Sequence, residues 1–218
     1  MTTIASARLV VLISGNGSNL QAIIDHIESG KLNAIISLVI SNNKNAYGII
    51  RAQQHNIPTR IAVPDPEETR QQYDCRLIKI IDDIDYDYIV LAGFMKILSD
   101  NFVDHYKGCL LNIHPSLLPR YKGLNTHQRV LDAGEKIHGA SVHFVTPTLD
   151  SGPIIMQVAV DISPGDTPAT LANRVLKKEH SLYSHVLSMC IDETVELSGK
   201  HVFVNGRKIN KPLILESE

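Results

Sequence analysis

At 218 residues the chain is long enough for one α/β domain with a full-sized core, and 44% hydrophobic with 20% charged residues is the balance of a globular protein in water. A formal net charge of -2 and the lack of a basic stripe argue against a nucleic-acid-binding face. No stretch approaches the roughly 18 apolar residues of a membrane span, and MTTIASARLV at the start lacks the basic-then-apolar pattern of a secretory signal. The three cysteines, Cys75, Cys109 and Cys190, are far apart and form no CxxC pair. They suit a reducing compartment as buried small residues, so a cytoplasmic location is expected.

In chain order, the apolar run Leu9 to Ile13 predicts a strand buried on both faces. It breaks at Ser14-Gly15-Asn16-Gly17-Ser18, and Leu20, Ile23, Ile24 and Ile27 then recur at helical spacing. A strand over about Ala34 to Ile40, a helix over about Ala46 to His55, and a short strand near Thr59 to Val63 come next. A helix from about Glu67 to Ile81 follows Pro64 and Pro66. The acidic run Asp82, Asp83, Asp85, Asp87 reads as a solvated helix end rather than a metal site, and leads into a strand over Tyr88 to Ala92. Strands alternating with helices imply βαβ units and a parallel sheet. After the strand at Leu110 to His114 the character changes. Gly139 to Thr146 and Pro153 to Ile162 flank only the short turn Pro147 to Gly152, too short for a parallel crossover, which predicts an antiparallel hairpin. A long helix over Pro168 to Ile191 and a small strand near His201 to Val204 close the pattern. The expectation is one Rossmann-like α/β domain, residues 1–218, with halves at about 8–107 and 108–205.

Three places carry chemistry. Ser14-Gly15-Asn16-Gly17-Ser18-Asn19 lies where a strand gives way to a helix, so glycine backbone and free helix N–H groups can meet an anion. Leu20 replaces the third glycine of a dinucleotide fingerprint, the second strand ends without an acidic residue, and no Gly-Lys-Ser/Thr of a P-loop follows. The choice is between a monophosphate site and a tight turn with an Asn or Ser helix cap. In Asn112-Ile113-His114-Pro115 an apolar strand ends by projecting an amide and an imidazole to one side, two residues apart, and proline stops it. Open α/β sheets keep ligand sites at such strand ends. Asp150, in Leu149-Asp150-Ser151-Gly152, is either an ordinary turn residue or a partner for His114 that would favour its protonated form.

The segments Ile13 to Leu20, Leu91-Ala92-Gly93-Phe94-Met95, Asn112 to Pro119 and Leu149 to Gly152 together resemble the phosphoribosylglycinamide formyltransferase family over about residues 8 to 205. The His-Pro-Ser segment is shared by the wider superfamily that uses 10-formyltetrahydrofolate. The Gly-Asn-Gly-Ser-Asn loop narrows it to the phosphoribosyl substrate. The resemblance implies a catalytic Asn112, His114 and Asp150. It implies a substrate site at Gly17, Ser18, Asn19 and Glu179, and a folate site at Arg70, Met95, Lys96, Ile97, Leu98, Asn112, Thr146, Pro147, Thr148, Leu149 and Asp150. Lys96 stands where relatives often have Arg, which matters little if only its backbone meets the pterin. Asn125 stands where some relatives have His, so it receives no role, and neither do Met1 to Ala7.

Formyl transfer to an amine passes through a tetrahedral oxyanion, which Asn112 and a protonated His114 could meet with N–H donors. No covalent enzyme intermediate is needed, and no G-x-S-x-G elbow occurs. The expected co-substrate is 10-formyltetrahydrofolate, with no metal, since no HExxH is present and neither His138 with His143 nor His180 with His185 has an obvious third ligand. Small-molecule substrates, no nucleic-acid or membrane partner, and a monomer or weak homodimer complete the expectation. The rivals are a formyltetrahydrofolate hydrolase, expected to carry a further N-terminal domain, a methionyl-tRNA formyltransferase, expected to carry a further C-terminal one, and a non-catalytic nucleotide-binding module.

Overall fold

Five consecutive apolar residues, Leu9 to Ile13, have no exposed surface, and they form the inner part of β1 (Ala7–Ile13). A strand with both faces covered needs neighbours on both edges, and β1 has them: β2 (Ala34–Ser41) and β4 (Tyr88–Leu91) each pair with it in parallel. The computed structural model describes residues 6–216, so the first five residues of the Met1 to Ala7 segment lie outside the described range. It divides into two compact units that meet in the chain between Leu111 and Asn112.

In the first unit the strand order is β3-β2-β1-β4-β5, where β3 is Thr59–Ile61 and β5 is Leu110–His114, the strand that runs across the division. The connections carry α1 (Ser18–Glu28), α2 (Tyr47–Gln54), α3 (Arg70–Asp82) and α4 (Asp100–His105). Helix α1 buries Leu20, Ala22, Ile23 and Ile24. Helix α3 begins three residues later than its periodicity suggests. The reason is local: Thr69 accepts from the Gln72 N–H while the Gln72 side chain accepts from the Thr69 N–H, a closed capping box, and the preceding residues turn back on Asp65. The acidic run is only partly a solvated helix end. Asp82 and Asp83 end α3, but Asp85 and Asp87 flank Arg8, and Asp87 accepts from the Arg8 backbone N–H at 2.7 Å. That guanidinium's hydrogen bond holds the Asp87 carboxyl below its ordinary range.

In the second unit the order continues β5-β6-β7-β11, with β6 (Ile137–Phe144) and β7 (Ile154–Asp161) an antiparallel hairpin and β11 (Leu213–Ile214) parallel to β7. Helix α5 (Thr126–Asp132) precedes the hairpin and α6 (Pro168–Ile191) follows it. Thr167 and Thr170 close a capping box on α6, with Pro168 in its first turn. The strand at β9 (His201–Val204) is not isolated. It is the middle of a separate antiparallel sheet with β8 (Val195–Ser198) and β10 (Arg207–Lys208). The architecture is thus a mostly parallel central sheet flanked by helices, with an added small sheet. One expectation fails. Of the three cysteines only Cys190 is buried; Cys109 is half-buried and Cys75 is exposed, because Cys75 falls on the polar side of α3 opposite Tyr73, Leu77 and Ile81.

Candidate functional site

The second unit gathers its polar residues where β5 ends. Pro115 stops the strand, and the chain curls through residues 115–121 under tight control from the hairpin. Ser141 on β6 donates to the Ser116 carbonyl at 2.6 Å and accepts from the Leu118 N–H at 3.1 Å, and Gln157 on β7 donates to the Leu118 carbonyl at 2.9 Å. The curl brings the Tyr121 carbonyl to 3.0 Å from His114 Nε2. A carbonyl only accepts, so Nε2 carries the proton and donates. The other ring nitrogen, Nδ1, then faces Asp150 Oδ2 at 3.5 Å, with both side chains 8% exposed.

Asp150 is itself held just beyond the curl, since the Gly123 N–H donates to its Oδ2 at 2.8 Å. Its backbone is left-handed, φ 45°. The loop that carries it is pressed onto the end of β6: a Cβ at Gly152 would lie 1.7 Å from the Phe144 carbonyl oxygen, so only glycine fits there.

The hydrogen bond that Asn112 makes goes to neither of its expected companions. Its Nδ2 lies 3.2 Å from Nε2 of His143 on β6, whose Nδ1 is 2.9 Å from the Phe144 carbonyl. The carbonyl requires Nδ1–H, so Nε2 accepts from the Asn112 amide and fixes which way that amide points. His143 is 2% exposed, and burial holds its imidazole below the ordinary value, which favours the neutral form that this pairing uses. Sequence reading passed over His143 except as half of a metal pair. Its two-residue offset from Ser141 put it on one face of the strand, but only the β5–β6 pairing shows that this face meets Asn112.

A second histidine pair stands nearby in the fold of this unit: His138 Nε2 lies 3.1 Å from His127 Nδ1. Burial pushes His138 down to about 4 from the ordinary 6.5, and His127 is lowered too, also first by burial. A histidine kept neutral in the fold but free to protonate when unfolded stabilises the fold above pH 6.5, and that stability is lost as pH falls toward the folded value. Thermal unfolding measured between pH 7 and about pH 4.5 should therefore show a loss on the order of 2 kcal/mol from His138 alone. His138→Gln should flatten that slope; an unchanged slope would remove His138 from the account.

The loop Ser14 to Asn19 in the first unit has Gly17, φ 73°, as the residue before α1, with no side chain capping the helix. This departs from the Asn or Ser cap considered above, since the residue before the helix is a glycine with no side chain to accept from it. A Cβ at Gly17 would lie 2.6 Å from the Gly48 Cα, so the loop sits directly on α2. Arg51 braces it, donating to the Asn16 carbonyl at 2.9 Å and to the Asn16 and Gln21 side chains at 3.2 Å. Ser18 is half-buried and Asn19 buried. In the same unit, Arg70 is exposed at the start of α3, and Met95, Lys96 and Ile97 are exposed on the loop after β4, followed by a buried Leu98. Two large apolar side chains held out to solvent there, Met95 at 67% and Ile97 at 57%, suit a flat ring system laid against the loop. In the second unit Thr146 is half-buried, Pro147, Thr148 and Leu149 are exposed, and Glu179 is buried on α6.

Residues 7–187 match the protein family described as formyl transferase. The chain is 46% identical over 201 residues to a phosphoribosylglycinamide formyltransferase of Escherichia coli, covering 92% of this chain and 95% of that one. It is 39% identical to the Haemophilus influenzae protein of the same name, over 94% and 96% of the two chains. A solved phosphoribosylglycinamide formyltransferase from Coxiella burnetii superimposes with a TM-score of 0.93 at 48% identity, over 97% of this chain and all of the other.

Proposed function

We propose that this chain, which belongs to the formyl transferase family, is the enzyme that moves the formyl group of 10-formyltetrahydrofolate to the glycine amine of phosphoribosylglycinamide in purine biosynthesis. The observation that carries this reading is the His114–Asp150 pair at the end of β5, with an amide of fixed direction two residues before the histidine.

The chemistry follows from what each group can do. The acceptor amine is already a nucleophile, so the protein must supply charge stabilisation and a path for protons. Attack at the formyl carbon turns its oxygen into an oxyanion. Asn112 offers the amide N–H not taken by His143, and His114 offers Nδ1–H when protonated. His114 Nε2–H stays with the Tyr121 carbonyl throughout, which confines proton transfer to Nδ1. Asp150 faces that nitrogen, so positive charge on the imidazole is met by a carboxylate already aligned by the Gly123 N–H. Gly17, Ser18 and Asn19 take the substrate phosphate at the start of α1, with Glu179 for the rest of that substrate. Arg70, the Met95 to Leu98 backbone and the loop Thr146 to Asp150 take the folate. The family match running across the division supports reading the chain as one formyltransferase domain. Three free thiols are in keeping with the cytoplasm, and we take the enzyme to act as a monomer or weak homodimer without a metal. Among the described residues no helix is long and apolar enough to cross a membrane.

The test is an absorbance assay of formyl loss from 10-formyltetrahydrofolate, with each substrate omitted in turn. Loss that requires phosphoribosylglycinamide supports transfer; equal loss without it would make the protein a hydrolase instead. A companion variant, Asn19→Asp, sets a carboxylate beside the bound phosphate dianion. It should raise KM for the phosphorylated substrate about tenfold or more while the folate KM changes little. A parallel rise in both constants would detach the loop from the phosphate.

A further inference from the structure

We infer that Ser14 and Asp74 are positioning residues that clamp the loop after β4 at its two ends and so set the backbone against which folate binds. The inference rests on the folate assignment above. The loop leaves the sheet at Gly93, φ 79°, and enters α4 at Ser99, with no regular structure between. Such a segment has many conformations of similar energy unless something outside it selects one. Two side chains do so. At one end Ser14 Oγ, in the turn that follows β1, accepts from the Met95 N–H at 2.7 Å. At the other, Asp74 Oδ2, on α3, accepts from the Ser99 N–H at 2.5 Å. Between these anchors lie Met95, Lys96, Ile97 and Leu98.

Asp74 is an unusual choice on stability grounds alone. It is 1% exposed, and its second oxygen, Oδ1, is buried with no hydrogen-bond partner among the described residues. Burying half a carboxylate without a donor is unfavourable, and Ser99 already has its own hydroxyl for the start of α4, accepting from the Phe102 N–H. A charged acceptor is the stronger hold on a backbone N–H, which is what a loop under ligand load needs. Ser14 adds a second property. Its carbonyl is held by the Asn43 amide, so the residue has its backbone fixed in the phosphate-side loop and its hydroxyl fixed on the folate-side loop. Removing the hydroxyl frees Met95 without removing any group assigned to the phosphate.

The experiment is steady-state kinetics and direct binding of tetrahydrofolate to the parent protein and to Ser14→Ala, Ser14→Thr and Asp74→Asn, with thermal unfolding of each. Ser14→Ala should raise KM for 10-formyltetrahydrofolate and weaken tetrahydrofolate binding by about fivefold to tenfold, the worth of one such hydrogen bond, and Asp74→Asn, which keeps an acceptor oxygen for the Ser99 N–H but not the charge, should do so by about twofold to fivefold. Turnover at saturation and KM for the phosphorylated substrate should stay within about twofold, because the donors at the formyl carbon are untouched. Ser14→Thr, which keeps the hydroxyl, should recover most of the loss. Parent-like folate binding in Ser14→Ala would overturn the clamp, as would a lower unfolding temperature in Asp74→Asn with an unchanged folate KM. If Asp74→Asn does not fold, the Ser14 pair of variants decides. A parent protein that binds no tetrahydrofolate would sink the folate assignment itself and this inference with it.

Discussion

His114→Ala is expected to lower kcat by about a hundredfold or more while both substrates still bind. The size follows from what the side chain does in this geometry. One imidazole nitrogen is spent on the Tyr121 carbonyl, so all of its chemical capacity sits on Nδ1, which faces Asp150 in surroundings that exclude most water. Donors in such places act on charge that appears only in the transition state, which is why their loss falls on kcat and not on KM. Alanine removes the donor, the proton source and the cation together. Asn112 survives the change, because its amide is steered by His143 and not by His114. The measurement is kcat beside tetrahydrofolate binding and thermal unfolding. Near-parental turnover in a folded His114→Ala protein would leave the proposed centre without its main member.

Why these residues could be read from the chain, and others not, comes down to the range of the forces involved. The run Leu9 to Ile13 admits hardly any solution but a strand covered on both faces, and the 147–152 turn is too short for a crossover, so both the parallel and the antiparallel parts of the sheet were visible locally. The shared face of Asn112 and His114 was visible because a two-residue offset in a strand puts both side chains on one side. His143 was not, because its importance depends on which strand lies beside it. The Asp150 partnership required two loops to fold toward each other, through Gly123 and Gly152, and no spacing encodes that. Helices α4 and α5 are six and seven residues long, too short to print a periodicity, and β8 to β10 owe their existence to one another. Cys75 shows the converse limit: cysteine's general tendency toward burial yields to the face of the helix on which the residue falls.

Asp150→Asn is expected to cost on the order of tenfold to a hundredfold in kcat, and to cost little more once His114 is already alanine. The substitution is chosen because the fold can absorb it. Asparagine keeps an oxygen to accept from the Gly123 N–H, tolerates the left-handed backbone that residue 150 adopts, and matches the aspartate in volume. What it loses is the negative charge 3.5 Å from His114 Nδ1. Positive charge on the imidazole then has no fixed counter-charge in a site where water cannot substitute freely, and the transition state loses part of its compensation. If Asp150 acts through His114, the two losses describe one interaction and cannot multiply: the double variant should lie close to His114→Ala. If Asp150 instead touches the reacting groups independently, the two single losses should multiply in the double variant. Measuring kcat for the parent, both single variants and the double variant separates these cases, and full multiplication would make Asp150 a catalytic group in its own right rather than the partner of His114.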